Sequence, residues 1–549
     1  MKSVAQVYPI PGGGVQGYVH ALSQGLSRID PMLEIDHLIV GSHSNLPKGI
    51  SDRKKVRHFS FSHRSELEHT LLEDCVNPNA EADFRRFLDE VQPDLVHFHD
   101  LTKVGASLIG IAHDRRIPTV LTLHDHWFIC PRSFLLRRDL TLCDGPNEGS
   151  ACHACFSMEG NDRQDILRDS MFRYQYMHIV LMKKVDKIIA VSDYMRRLMM
   201  REGIPEEKIS LIYPALDDPE VHVEQRISSM PLKVGYIGAV SPHKGVHVLM
   251  DAFRDLDDTK AQLHIYGTLD TLYQSSLRAL DASNIFFHGA YNSEDLTAIF
   301  SSLDVVVLPS VCPDNSPLVV QEALRHGIPV IGSLIGGIPE YIQDDFGALF
   351  EAGNSRELKE ILVQLTNEPA ILQRWKRNIP KLGTVDSLAR EIYGIYESLM
   401  PSDKKPLVNP DHIRLLGSHD RGYLRNPFIP YQLIGIYRLF RSIGVERIAI
   451  FGSGALGRKV AEHIRYNGFR PAAFLDNDAK KHGQVLDGVR IISPDLLQTS
   501  AGIDFEAIFI VSDWEADILE QLRKMNLLMP IIGLYSYEPQ NGDGREPGK

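Results

Sequence analysis

At 549 residues the chain exceeds what one hydrophobic core can organise, so about two or three domains are expected. Its 43% apolar and 24% charged content is that of a globular protein. The formal charge of -12, from 59 basic and 71 acidic side chains, argues against a broad nucleic-acid surface, which needs a basic footprint.

The N-terminal stretch MKSVAQVYPIPGGG lacks the apolar core of a signal peptide and reads as a first strand, Ser3–Tyr8. No window offers the ~18 uninterrupted apolar residues of a spanning helix, and a cytoplasmic location is expected. Cysteines in that setting are expected to be free, ligating or catalytic rather than disulfide-bonded. A helical pattern, Val15–Arg28, follows the glycine turn. Asp94–Phe98, Pro118–Leu123 and Lys187–Ser192 are near-continuous apolar runs, as strands covered on both faces require. Between the last two runs, the basic and aromatic stretch Met171–Lys187 reads either as an ordinary helix or as a face for peripheral membrane contact.

After an irregular stretch, Asp217–Pro231, the pattern restarts. Lys233–Ile237, Gln262–Tyr266, Asn284–Phe287, Val305–Pro309 and Pro329–Ser333 are predicted strands, each followed by a helix-like segment. Leu388–Met400 reads as the last helix of this part. A proline-spaced region, Pro401 to Pro430, precedes a strand at Arg447–Phe451, a glycine turn, a helix and a strand at Ala472–Leu475. Three βαβ series make the fold class α/β. The expected boundaries are 1–228 and 229–400 for two Rossmann-like domains, 401–430 for a linker and 431–549 for a third, smaller one.

Chemistry concentrates in Val305–His326, VVVLPSVCPDNSPLVVQEALRH. A strand ends near Ser310, and Ser316-Pro317 is expected to cap and open a helix. Its mouth would offer free amides and a positive dipole end to a diphosphate. Asp314 stands before that mouth and Glu322 inside the helix, placed to hold hydroxyls at opposite ends of one ligand.

With two acids separated by seven residues at a strand–loop–helix junction, this segment resembles the retaining nucleotide-sugar transferases of glycosyltransferase family four, of GT-B fold. The resemblance covers roughly residues 1–400 and implies two Rossmann-like domains facing across a cleft. It implies that Glu322 binds the donor ribose and that Asp314, where Glu is usual, contacts the donor sugar. The backbone of Asn315, Ser316, Pro317 and Leu318 would line the sugar and diphosphate. YIGAVSPHKG, Tyr236–Gly245, resembles the family's phosphate loop, with Lys244 as the cation and Ala239 where Arg is frequent. Gly336-Gly337-Ile338-Pro339-Glu340 resembles a further signature, or is a tight turn before a helix. On the other wall stand Gly13 and Gly14 of the first glycine loop and His124 in LTLHDHW, at the position that contacts the transferred sugar. His99, at another strand end, is a second candidate. The resemblance implies transfer with retention to a glycan or glycolipid acceptor, by a front-face route needing no added cofactor or metal.

Four of six cysteines, Cys130, Cys143, Cys152 and Cys155, fall in one excursion whose spacing suits a structural zinc site or a loop of reduced thiols. FGSGALG, Phe451–Gly457, fits G-x-G-x-x-G, and Asp476 ends the next strand. Gly452, Gly454, Gly457 and Asp476 thus form a second candidate nucleotide site, for NAD or a nucleotide-sugar, or a packing module without ligand. The alternative functions are a GT-B sugar-nucleotide epimerase, an NAD-dependent oxidoreductase run by the C-terminal unit, and a non-catalytic sensor.

Overall fold

The computed structural model describes residues 2–9, 14–40, 56–61, 71–156, 163–217, 230–400, 445–498 and 504–533, isolated positions excepted. The chain divides into two compact units, Met1–Arg163 with Ser170–Val408, and Gln164–Asp169 with Asn409–Lys549.

The first unit holds two parallel sheets. Seven strands form the first: β1 Ser3–Pro9, β2 Glu34–Val40, β3 Val56–Phe61, β4 Leu95–Phe98, β5 Thr119–Leu123, β6 Lys187–Ala190 and β7 Ile209–Leu211. Their order is β3-β2-β1-β4-β5-β6-β7, every pairing parallel. Every residue of β4 and β5 is buried, which is why these segments read as continuous apolar runs. The exceptions are polar groups inside the core, among them Gln6, His97 and Thr122.

Six strands form the second sheet: β8 Leu232–Ile237, β9 Ala261–Tyr266, β10 Ile285–Gly289, β11 Val305–Leu308, β12 Val330–Ser333 and β13 Gly347–Phe350. The order is β10-β9-β8-β11-β12-β13, again all parallel. The helix Val385–Leu399, opened by a Thr384/Ser387 capping box, returns to the first sheet and packs on the helix Gly14–Ile29. Their approach is close. A Cβ on Gly25 would lie 2.8 Å from that of Ala389.

Met171 to Lys184 belongs to the helix Arg163–Ile179 and the π-helical turn Val180–Lys184 that extends it, and Lys187 opens β6. Two cations of this stretch are held in ion pairs, Arg173 on Asp74 at 2.5 Å and over the Trp127 ring and Lys184 on Asp114 at 2.8 Å, and Lys187 Nζ donates to the Glu207 carbonyl at 2.8 Å. No helix among the described residues is long and apolar enough to cross a membrane.

The second unit holds β14 Arg447–Phe451, β15 Arg470–Leu475, β16 Val485–Leu486, β17 Val489–Ile492, β18 Ala507–Ile510 and β19 Ile531–Gly533. The order is β16-β17-β15-β14-β18-β19, parallel except for the β16–β17 hairpin. Two apolar clusters cover its faces.

Candidate active site

The loop after β11 meets the turn Pro242–Lys244 that follows β8. Gly245 makes this possible: φ is +71°, and a Cβ there would lie 1.8 Å from the Pro309 carbonyl oxygen. Val311 N–H donates to the His243 carbonyl at 3.1 Å, tying the two loops together. The result brings Lys244 Nζ within 2.5 Å of Asp314 Oδ2. Burial works against the Lys244 charge, but Asp314 outweighs it and the pKa rises.

Gly336 and Gly337 brace the same loop from beneath. Gly337 N–H donates to Asp314 O at 2.7 Å, and a Cβ on Gly337 would fall 1.9 Å from Asn315 O. The sequence GG-x-P-E is therefore both a turn and a support, leading into the 3₁₀ turn Ile338–Tyr341. The expected Ser316 cap is not formed. The helix runs Leu318–Arg325 with Pro317 at its N-cap, because the Ser316 hydroxyl is engaged by Tyr341 Oη at 2.5 Å. Glu322, half-buried on this helix, is pushed up to about 6 by burial.

The first domain supplies the other wall. Asn315 Nδ2 donates to the His124 carbonyl at 2.9 Å. A Cβ on Gly14 would lie 3.2 Å from Leu318 Cδ1. Gln321 Nε2 donates to Pro214 O at 2.8 Å, and Phe134 stacks on His243 at 4.3 Å. Glu340 accepts from the backbone amides of Asp193 and Tyr194 at 2.8 and 2.7 Å, at the start of the helix Asp193–Arg201. His124, Gly14, Asn315, Leu318, Lys244 and Asp314 thus belong to one locality, whereas Gly13 lies outside the described residues. His99 lies directly behind His124, with Nδ1 3.1 Å from His124 Nε2. Burial holds His124 down to about 3.

Sequence reasoning missed Glu340 as a bridge between domains, and Tyr341. It also missed His126, whose Nδ1 faces Ser133 O at 3.1 Å and whose buried Nε2 has no hydrogen-bond partner among the described residues. The signal was a second histidine in LHDHW, two residues beyond His124.

The four cysteines share one neighbourhood without forming a metal site. Burial first, with Cys130, Cys143 and Cys155 nearby, pushes the Cys152 thiol up to about 12. Cys143 Sγ donates to the Gly145 carbonyl at 3.4 Å. Among the described residues no three or more His, Cys, Asp or Glu side chains are grouped to hold a metal ion, which corrects the expected zinc site. The excursion instead brings Phe134 against the turn that carries Lys244.

In the second unit a cavity of about 620 Å³ is lined by Gly452, Ser453, Gly454, Gly457, Asp476 and Lys481 among others. Gly452 has φ +115°, and a Cβ on Gly457 would fall 1.8 Å from Gly452 O. Among the described residues nothing lies within 4 Å of a Cβ on Gly454. Asp476 is already engaged: it accepts from Ser453 N–H at 3.2 Å, from the Ser453 hydroxyl, from Lys481 Nζ at 2.9 Å and from Asp478 N–H at 2.9 Å. Burial opposes its charge, yet these donors hold it at about 2.

Residues 12–219 match the family described as Glycosyltransferase Family 4, and residues 217–382 that described as Glycosyl transferases group 1. The two matches together span residues 12–382, and the two parallel sheets of that part have the GT-B fold. Residues 444–530 match a third description, C2185-like, N-terminal. An uncharacterized 41.2 kDa protein in the cps region of Klebsiella pneumoniae is 26% identical over 34% of this chain and 54% of its own length. The O-antigen chain mannosyltransferase C of Escherichia coli is 23% identical over 42% of this chain and 65% of its own. The chain thus spans little more than half the length of the first of these relatives. A crystal structure of Anabaena Alr3699/HepE in complex with UDP and glucose superposes with a TM-score of 0.51 at 16% identity. It covers 72% of this chain and 100% of that one, a likeness of fold.

Proposed function

We propose that residues 1–400 transfer a sugar from a nucleotide-diphosphate sugar to a glycan or glycolipid acceptor, with retention at the transferred carbon. The observation that carries this reading is the Lys244–Asp314 pair at the mouth of the helix Leu318–Arg325, with His124 held close by through Asn315. A cation, a hydroxyl-binding acid and the first amides of a helix meet there, which suits a diphosphate bearing a sugar. On donor binding Lys244 turns to the phosphates and Asp314 is released to the sugar hydroxyls. Glu322 takes the ribose.

In the reaction the bond between the anomeric carbon and the diphosphate oxygen breaks. The acceptor hydroxyl oxygen attacks from the same face, and its proton passes to the leaving diphosphate. Lys244 and the helix-mouth amides stabilise the charge that develops on that group. The name of the Escherichia coli relative, an O-antigen chain mannosyltransferase, supports a glycan acceptor. The glycine loop of the second unit is read as a separate nucleotide pocket.

A panel of UDP-, GDP- and ADP-sugars tests the reading, starting from UDP-glucose because of the ligands in the Anabaena structure. Slow release of nucleoside diphosphate from at least one donor is expected, and the anomeric configuration of a transferred product reads retention. If the intact chain neither binds nor hydrolyses any donor, the proposal fails.

A further inference from the structure

His124 ends a hydrogen-bonded chain that runs through the core of the first domain to the helix Val385–Leu399. Both amide atoms of Gln6, on β1, are engaged: Nε2 donates to Tyr396 Oη at 3.1 Å, and Oε1 faces His99 Nε2 at 2.7 Å. His99 Nδ1 faces His124 Nε2 at 3.1 Å. A second arm leaves Tyr396, whose Oη is 2.6 Å from His97 Nδ1, and His97 Nε2 is 2.7 Å from Thr122 Oγ1. Gln6, His97, Thr122 and Tyr396 are fully buried, and His99 is 2% exposed.

The proton on each ring follows from its partners. A carbonyl oxygen only accepts, so Gln6 Oε1 requires the His99 proton at Nε2. A neutral imidazole has one N–H, so His99 Nδ1 must accept, and His124 Nε2–H is its donor. That leaves the His124 Nδ1 unprotonated. On the second arm Tyr396 accepts from Gln6 and gives its own proton to His97 Nδ1, whose Nε2–H goes to Thr122. All five hydrogen bonds then have one donor and one acceptor. Turning the Gln6 amide over would reverse every one of them. Burial, reinforced by neighbouring rings, holds His97 and His99 well below the usual imidazole range, so all the rings are neutral.

We infer that Gln6, His99 and Tyr396 are positioning residues that fix His124 as its Nε2–H tautomer, so that it offers a sugar hydroxyl an Nδ1 lone pair. The contact with a sugar rests on the glycosyl-transfer reading; the tautomer does not. Because Tyr396 lies on the returning helix, seating of that helix and the proton on His124 are linked through one amide. A lone pair accepts, so the group facing His124 must be a hydroxyl that donates.

Nitrogen-15 spectra of the histidine-labelled full chain read the tautomer, with the His124 signal identified by its loss in His124→Gln. Nε2–H is expected. Gln6→Met and Tyr396→Phe should let the tautomer redistribute and lower kcat about tenfold, the scale of a buried hydrogen-bond partner lost. The donor KM should stay within about twofold, since Lys244 and Glu322 are untouched. Gln6→Glu still accepts from His99 and should keep Nε2–H and more of kcat than Gln6→Met. If Gln6→Met fails to fold, Tyr396→Phe, which removes one oxygen atom, carries the test. An Nδ1–H tautomer in the unaltered chain overturns the inference, as does unchanged tautomer and kcat in folded Tyr396→Phe. Should the chain hydrolyse no donor, the transfer reading falls while the spectrum still decides the tautomer.

Discussion

In the second sheet, the loop after β11 places Asp314 against a lysine from another strand's turn and is braced by two glycines from a third segment. In the third sheet, the loop after β14 holds Ser453 against Asp476, and the lysine on that acid comes from five residues downstream. Both put an acid–lysine pair at the C-terminal end of a parallel sheet, where open α/β sheets bind ligands. Their difference lies in how many parts each needs. The Asp314 site draws on β8, β11 and β12 loops, and on the first domain through His124. The Asp476–Lys481 pair is built from two consecutive strand ends, and the cavity beside it is also lined by Val511, Ser512 and the helix Glu515–Arg523. A site assembled from many parts is open to damage from distant positions, whereas a local one answers mainly to its own residues.

The sharpest test of that contrast removes the cation from the assembled site. Lys244→Ala and Glu322→Ala should each lower donor hydrolysis about tenfold to more than a hundredfold, the scale of a lost charge-assisted contact, while circular dichroism stays unchanged. Near-normal turnover in both variants would remove the donor site from this location.

Truncation asks whether the two sites are independent. A chain ending near Pro410 is expected to keep donor hydrolysis within about threefold, an allowance of under 1 kcal/mol. The fragment Asn426–Lys549 is expected to fold and bind a nucleotide, measured by calorimetry with NAD and nucleotide-sugars. A folded truncated chain that cannot hydrolyse a donor accepted by the full chain would show that the division of labour is wrong.

The same contrast explains what the sequence made legible. Strand bodies buried on both faces are continuous apolar runs, and Arg447–Phe451 was read to the residue. The strand Glu34–Val40 was not read, because the buried polar residues Asp36 and His37 interrupt its pattern. Lys244 and Asp314 were each candidates from the sequence. Their pairing was not, since it depends on Gly245 pressing against the Pro309 carbonyl. Ser316 was misread as a cap because nothing local announces that Tyr341 takes its hydroxyl. Gln6 did carry a signal, a polar residue inside an apolar strand, but its partners lie up to 390 positions away.

Acidity gives a smaller effect with a defined sign. Burial raises Glu322 to about 6 in the folded chain, above an ordinary carboxylate at 4.5. Below pH 4.5 the group is protonated in both states and contributes no difference. As pH rises through about 6 the folded chain must ionise a half-buried carboxyl, so this group lowers stability across that window. On the proposed reading donor binding should run the other way, because a carboxylate that grips ribose hydroxyls is favoured in its charged form. The kcat/KM for donor, which reports the free enzyme, should therefore fall as pH drops through about 6, and Glu322→Gln should flatten that limb. An unchanged limb in Glu322→Gln would assign it to another group.

The smallest effect belongs to the contact that only the assembled site has. Glu340 lies on the second domain yet accepts two amides at the start of the helix Asp193–Arg201, in the first. A carboxylate at a helix N-terminus contributes about 0.3–1 kcal/mol when exposed and more when partly buried. Ser192 already caps that helix through Met195 N–H, so the helix survives without Glu340. What Glu340 adds is attachment of the Gly336–Gly337 support to the opposite wall, and through it the setting of Asp314. Glu340→Gln keeps one accepting oxygen and loses the charge; Glu340→Ala loses both. The expected order in donor KM is therefore unaltered chain, Gln, then Ala, spread over about fivefold, the kinetic equivalent of about 1 kcal/mol. Melting temperature should fall by only a few degrees. If donor KM is unchanged in both while melting falls, Glu340 serves the fold alone and the first domain does not tune the donor loop. The same substitution has no counterpart in the third sheet, whose acid is held by neighbours in the loops that follow its own two strands.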